Sequence, residues 1–276
     1  MIMTSIRRID VLGCPFDAIG FAAVVDSIRR SVTEGSQLHI ATGNIDFVQK
    51  ARRCPRFAET LRGADLVVAD GVPIVWSASL LGTPLRGRVN GTDLVWKCAE
   101  VSAQTGCRIA LVGSRPGVGD RAAARMMERY PGAIVRAILT PFPLGDRESI
   151  EVVSQTRSFG AAILLAALGA PGQEFWLKKY LECSGAAVGI GVGSAFDLIS
   201  GDKPRAPRWM QNMGLEWLHR MLLEPRRLGR RYLIEDTPYL FQLARELTRR
   251  KAAASGGLPG LWQLLNVVFS GRDAGA

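Results

Sequence analysis

The residues of this chain best equipped to do chemistry on an anionic partner are its arginines. Arg86 and Arg88 stand two apart in LLGTPLRGRVNGTDL, and Arg226, Arg227, Arg230 and Arg231 share one face of a short helical pattern opened by Pro225. From residue 203 onward thirteen Lys and Arg face six Asp and Glu, so seven of the ten formal positive charges sit in the last quarter. Charge that is local points to a site, whereas charge spread evenly serves solubility. The same stretch, 203–233, carries Trp209, Met213 and Trp217 at helical spacing. It asks for a partner that is both anionic and apolar.

Metal chemistry finds little to work with. There is no Asp-x-Asp pair, no CxxC, and the two histidines, His39 and His219, lie far apart in sequence. His39, alone on an apolar run, reads as structural. A GxxxxGK[ST] loop is absent, and Gly117-Val118-Gly119 lacks the acidic residue that a dinucleotide site needs about 20 positions on, because Thr140 follows the next strand. No cofactor and no bound metal are therefore expected. An anionic substrate would be held by arginines and by the N-termini of helices.

The elements that must position these groups follow an alternating pattern. Short apolar runs at 38–41, 66–69, 108–112, 134–139, 162–167 and 187–192 read as strands. Segments near 20–33, 46–62, 72–81, 91–105, 118–130, 147–158 and 172–184 read as helices. This predicts an α/β fold with a Rossmann-like parallel sheet over 1–202. Thr42-Gly43-Asn44, Asp70-Gly71, Gly113-Ser114, Gly169-Ala170-Pro171 and Gly193-Ser194 fall just past strand ends. In an open parallel sheet, the crevice outside the carboxyl ends of the strands is where ligands bind. After Asp202 the pattern becomes helical only, an appendage expected to close the active site and dock on the membrane: one helix from Pro207 to about Leu223 whose apolar stripe docks either on the core or on a membrane surface, a second after Pro225, and a third over 238–251. The appendage is thus 203–251, and 252–276 reads as a linker and a short apolar, flexible or membrane-surface tail.

Length and composition agree with a chain that folds without staples. Its 276 residues are 47% hydrophobic, and the five cysteines are odd in number and scattered. They read as reduced thiols in the cytoplasm. No window reaches the roughly 18 apolar residues of a membrane span, and the N-terminus lacks a signal-type apolar region. Any membrane contact is expected to be peripheral.

Seven motifs then recur in fixed order: ATGN at 41–44, ADGVPIVW at 69–76, RVNGTDL at 88–94, LVGSRPGV at 111–118, GAPGQEFW at 169–176, GVGSAFDLISG at 191–201 and RAPRWMQNMGLEWLHRMLLEPRRLGRRYL at 205–233. Over about residues 8–250 the chain resembles the WecG/TagA/CpsF family of bacterial glycosyltransferases. The resemblance implies an inverting, metal-independent transferase on the inner face of the cytoplasmic membrane. It would move a hexose-type sugar (N-acetylmannosamine, its uronic acid or glucose) from a UDP-sugar to a polyprenyl-diphosphate-linked saccharide in cell-surface polysaccharide synthesis. It also implies self-association of the core domain. Carried over by motif, Asp70 is the base, with Thr42, Asn44 and Arg88 in the catalytic group. Gln173, Gly193 and Asp197 fall on the substrate side, Asp197 near the nucleotide ribose, and one or more of Arg226, Arg227, Arg230 and Arg231 would offset charge on the leaving diphosphate. Ser194, and Thr140-Pro141-Phe142, depart from the family pattern near the nucleotide-sugar side, and so bear on donor identity more than on reaction type.

Two rival classes make different demands. A nucleic-acid-binding protein would spread its basic residues along a surface with aromatic stacking platforms, whereas here the aromatics sit on an apolar stripe. No nucleic-acid partner is expected. A membrane-surface scaffold without catalysis would have no use for Asp70.

Overall fold

A computed structural model describes residues 6–141, 144–213, 215–225, 229 and 236–255, with the backbone alone at 212 and 251–255. Six parallel strands form one sheet in the order β4-β3-β8-β7-β5-β6. They are β3 (Leu38–Gly43), β4 (Leu66–Ala69), β5 (Arg108–Gly113), β6 (Ile134–Ile138), β7 (Ala161–Ala167) and β8 (Val188–Gly191). All five neighbouring pairs are parallel. Helices cover both faces, as βαβ crossovers require.

Period-two alternation sorts the strand residues between the faces. Ile40, Val68, Ile109, Leu111, Ile163, Leu165 and Ile190 pack on one face with α1 (Phe21–Glu34), α5 (Gly91–Thr105), α6 (Val118–Arg129) and α9 (Ala195–Ile199). On the other face Ala41 and Val67 join one cluster with α2 (Ile45–Arg53), α3 (Pro55–Arg62) and α4 (Val72–Leu80). Ala110, Val112 and Leu164 join another with α7 (Asp146–Phe159) and α8 (Gly172–Ser184). Apart from Arg108 at the start of β5 and the edge strand β6, where Ile134 and Arg136 are exposed, the strands are buried on both sides, which is why they read as apolar runs.

Three local expectations are corrected. An antiparallel hairpin, β1 (Arg8–Val11) and β2 (Cys14–Asp17), precedes the sheet. Its turn places Leu12 at φ 55° and Gly13 at φ 89°, and Asp10 Oδ1 accepts from the Gly13 N–H. Pro15 inside β2 hides it, since proline argues against a strand. Asp17 ties the hairpin to the body: its carboxylate takes two bonds from Arg8 and one from the Val67 N–H at 2.7 Å.

The helix expected over 46–62 is two helices. Cys54 is extended (φ −130°, ψ 98°) between them because Pro55 has no N–H and disfavours helical geometry in the residue before it. The helix expected from Pro207 to Leu223 is likewise two, α10 (Arg208–Asn212) and α11 (Glu216–Leu223). Their apolar stripe is not docked: Trp209 is 59% exposed, Met213 56% and Trp217 41%, while among the described residues of this region only Met210 and Ala206 are buried hydrophobic ones. What does dock is α12 (Thr237–Ser255), whose Tyr239, Leu243 and Leu247 enter the cluster beside α4.

His39 is structural, as expected, and carries a pH signature. It is buried in β3, its Nε2 has no hydrogen-bond partner, and burial, more than the neighbouring Lys178, pushes its pKa down to about 4 against the opposing pull of Asp65. The unfolded chain binds this proton near pH 6.5 and the folded chain does not, so stability is full above pH 6.5 and falls as pH drops towards 4. The loss from this group is on the order of 3 kcal/mol. Urea midpoints of the parent and of His39→Leu between pH 4 and 7 check this. The variant should have the flatter dependence, and parallel curves would reject it.

Candidate active site

The carboxyl ends of β3, β4 and β8 build the site. β4 ends at Ala69, and the Asp70 N–H donates to the Gly43 carbonyl at 2.7 Å, holding the loop after β4 against the loop after β3. The Val89 N–H donates to the Ala69 carbonyl at 2.8 Å, so residues 88–90 run on beside the strand end. That brings Asn90 to Asp70. Asn90 caps α5, its Oδ1 accepting from the N–H groups of Thr92 and Asp93, while its Nδ2 donates to Asp70 Oδ1 at 3.1 Å. The Gly91 N–H also donates to Asp70.

Gly91 faces both catalytic candidates. A Cβ there would stand 3.5 Å from Thr42 Oγ1 and 3.6 Å from Asp70 Oδ2. Thr42 in turn donates to the Gly191 carbonyl at 2.6 Å, which links β3 to β8. Beyond it, Gln173 Nε2 donates to Glu174 Oε1 at 2.7 Å and Gln173 Oε1 accepts from the Gly193 N–H at 3.2 Å. Asp70, Thr42, Gly191, Gln173 and Gly193 thus form one contiguous polar floor.

This floor leaves no room at Gly191, where a Cβ would lie 2.6 Å from both Gln173 Nε2 and Glu174 Oε1. Gly191→Ala should cost about 1–3 kcal/mol, because either side chain can yield only by breaking the Gln173–Gly193 or Gln173–Glu174 bond. A fall in the urea midpoint is the check, and an unchanged midpoint would mean that the floor is soft.

Charge is concentrated above Asp70. Arg88 Nη1 lies 3.4 Å from Glu216 Oε2, Arg220 Nη2 lies 3.2 Å from Glu216 Oε1, and Arg205 Nε lies 4.0 Å from the same oxygen. Arg205 also pairs with Asp93 at 2.8 Å. Burial raises Asp70 to about 6; Arg220 opposes that rise, Glu216 adds to it, and Arg88 and the Gly91 N–H oppose it. A carboxyl near 6 is ionised at neutral pH yet basic enough to accept a proton. Glu174 is fully buried, with Oε2 unpartnered, and burial pushes it up to about 8 against the bond from Gln173 and the nearby Lys50.

A second polar group joins α9 to the start of α6. Asp197 pairs with Lys203 at 3.1 Å and Arg115 at 3.5 Å, and Asp202 with Arg121 at 2.7 Å and Arg115 at 3.3 Å. Ser114, at φ 75°, turns the loop that carries Arg115. Among the described residues, no group of three or more His, Cys, Asp or Glu is placed to hold a metal ion.

A model of the glycosyl transferase WecG/TagA/CpsF family matches residues 9–253. The chain belongs to this family. Among its relatives is the N-acetylglucosaminyldiphosphoundecaprenol N-acetyl-beta-D-mannosaminyltransferase of Staphylococcus aureus strain MRSA252, 26% identical over 249 residues, which span 89% of this chain and 96% of that protein. The protein of the same name from strain NCTC 8325 / PS 47 gives the same identity and coverage. The protein is therefore a glycosyltransferase.

In this WecG/TagA/CpsF glycosyltransferase, Asp70, Thr42, Gln173 and Gly193 lie along the floor and Arg88 stands over it. The Thr42 proton is committed to the Gly191 carbonyl. Asn44 caps α2, its Oδ1 accepting from the Phe47 N–H at 3.4 Å. Asp197 lies in the second polar group. Arg226, Arg227, Arg230 and Arg231 fall outside the described residues. Sequence reasoning missed Asn90, Arg205, Glu216 and Arg220. Arg205, Glu216 and Arg220 lie in the quoted motif at 205–233, and the i,i+4 spacing of Glu216 and Arg220 was the available signal.

Proposed function

We propose that this chain is an inverting transferase that moves N-acetylmannosamine or a closely related hexose from a UDP-sugar to a saccharide linked to polyprenyl diphosphate. The observation that carries the reading is the Asp70 carboxylate, poised near 6 beside Arg88 and Arg220, with Arg205 on the same Glu216. The acceptor hydroxyl oxygen forms the new bond to the sugar C1 as the bond from C1 to the diphosphate oxygen breaks on the opposite face. The hydroxyl proton passes to Asp70, and the electron pair leaves with UDP. Asn90 and the Gly91 N–H orient the carboxylate, so the base needs no rearrangement when the hydroxyl arrives. The guanidiniums offset the charge that grows on the leaving diphosphate, the part a divalent cation plays elsewhere. The names of the staphylococcal relatives support the lipid-diphosphate acceptor and the mannosamine-type sugar.

Offering a panel of UDP-hexoses with N-acetylglucosaminyl-diphosphoundecaprenol to the purified chain tests donor and acceptor together. Transfer from UDP-N-acetylmannosamine is the expected result, and no transfer from any UDP-sugar would defeat the reading. The rate should be unchanged by a strong chelator, and a rate that collapses and returns with Mg²⁺ would defeat the arginine assignment.

Where such an acceptor lives is a bilayer surface. No helix among the described residues is long and apolar enough to cross a membrane. On α10, at its C-cap and on α11, however, Trp209, Met213, Leu222 and Leu223 are exposed, and the same stretch of sequence carries Arg208 and Arg220. Exposed apolar groups with basic neighbours suit an anionic lipid surface. Trp209→Ser with Leu222→Ser should reduce co-sedimentation with anionic vesicles several-fold and leave turnover of a detergent-solubilised short-chain acceptor near the parent value. Equal vesicle binding would remove these helices from membrane contact.

A further inference from the structure

The Glu216 carboxylate is the point where the two halves of the site meet. It is 7% exposed, begins α11, and has Arg88 from the α/β body on one oxygen and Arg205 and Arg220 from the C-terminal segment on the other. We propose that Glu216 is the positioning residue of the transfer site: its buried carboxylate gathers Arg88 and Arg220 beside Asp70 and draws Arg205 into the same cluster, and so sets both the cation array that receives the leaving diphosphate and the charge around the base. This rests on the transferase reading above, with Asp70 as base.

Three features favour this over a purely structural ion pair. A buried carboxylate with one arginine is a poor stabiliser, since desolvation consumes most of the attraction. Here three arginines share one carboxylate, and among the described residues only Arg205 of the three also pairs with a second carboxylate, Asp93. The cluster is also incompletely satisfied: the Nε atoms of Arg205 and Arg220 are buried without a hydrogen-bond partner. Donors held in place but unspent are what an incoming anionic oxygen needs. Finally, the groups facing Asp70 come from separate elements and act in opposite senses. Arg220 and Glu216 come from α11, Arg88 precedes α5, and the Gly91 N–H opens α5; only Glu216 among them disfavours the ionised base. Glu216 therefore keeps Asp70 basic while holding the very arginines that would otherwise quench it.

The test is the full chain carrying Glu216→Gln, assayed with the sugar nucleotide that the donor panel selects. Losing the clamp should lower kcat about tenfold or more with the donor KM little changed. Losing the negative charge should move the acid limb of the kcat/KM profile to lower pH, because Asp70 then ionises more readily. A structural role alone would not move that limb. A kcat within twofold of the parent, or an acid limb that stays in place, overturns the proposal. Should Glu216→Gln fail to fold, Glu216→Asp decides: with its charge kept and its reach shortened, kcat should fall while the limb stays, and a full kcat overturns the proposal. Asp70→Asn, run in parallel, separates the two readings. An active Asp70→Asn sinks the base assignment itself, whereas an inactive Asp70→Asn beside a normal Glu216→Gln sinks only the role of Glu216.

Discussion

Asp70→Asn is expected to lower the transfer rate by about 10²–10⁴-fold, the usual worth of a positioned general base. The variant keeps the size and one acceptor oxygen of the side chain, so Asn90 can still donate to it. Stability should hold or rise. Asp70 is raised from its ordinary 3.8 to about 6, so the unfolded chain releases this proton at lower pH than the folded chain. A group raised in this way favours folding below its unfolded pKa and loses that contribution as pH climbs through 6. At pH 8 the ionised carboxylate is a burden that asparagine lacks. The same value sets the kinetics of the parent: kcat/KM should fall as pH drops through about 6, where the base takes up its proton. Stopped assays of sugar transfer across pH 5–8, with melting curves for both proteins, check all three statements. Near-normal transfer by the variant would end the base assignment.

A chain ending at Asp202 should lose both catalysis and stability. It lacks Arg205, Glu216 and Arg220, leaving Arg88 alone above Asp70. It also lacks α12, whose Tyr239, Leu243 and Leu247 bury themselves against the cluster formed by β1, β2, α2 and α4. Each such side chain contributes about 1.5–3 kcal/mol when fully buried, so the truncation removes at least several kcal/mol and exposes the apolar surface they covered. Transfer should drop more than about 100-fold, a loss comparable to that of several charge-stabilising donors. Dye binding to the exposed surface and a lowered melting point report the packing loss. In the full chain, Arg205→Ala with Arg220→Ala should retain the fold of α12 and most of the stability yet lose most of the rate. Full activity in the truncated chain would deny the C-terminal segment any part in catalysis.

Which parts of this arrangement could be read from residues alone follows from the range of the forces involved. All six strands of the sheet were legible, because edge strand β6 keeps Val135, Ala137 and Ile138 around its exposed Arg136 and burial on both faces writes apolar runs in the others, and Asp70 was legible as the polar residue at the end of one. The β1–β2 hairpin was not, since Pro15 contradicts a strand and the hairpin is held by long-range bonds, from Arg8 to the Ala64 carbonyl and from the Val67 N–H to Asp17. Cys54-Pro55 was overlooked inside an otherwise good helical period. Asn90 could not be linked to Asp70, because the link depends on one backbone bond from Val89 to Ala69. The density of arginine at 226–231 drew attention away from Arg205 and Arg220, which are fifteen positions apart and become neighbours only because both turn towards Glu216. Local periodicity is written locally; convergence on a carboxylate is not.

The bond from Thr42 to Gly191 joins residues 149 apart in the chain, and their strands are direct neighbours in the sheet. Central strand β3 leaves the ribosome well before its partner β8, the last strand of the sheet to be made, so the middle of the sheet closes late. Until β8 inserts, Asp70 has no floor beside it and β3 is an open edge, prone to pairing with another chain. The nascent protein is therefore most exposed to misassembly until one four-residue strand inserts, and it gains its charged site only afterwards, when the segment carrying Arg205, Glu216 and Arg220 follows.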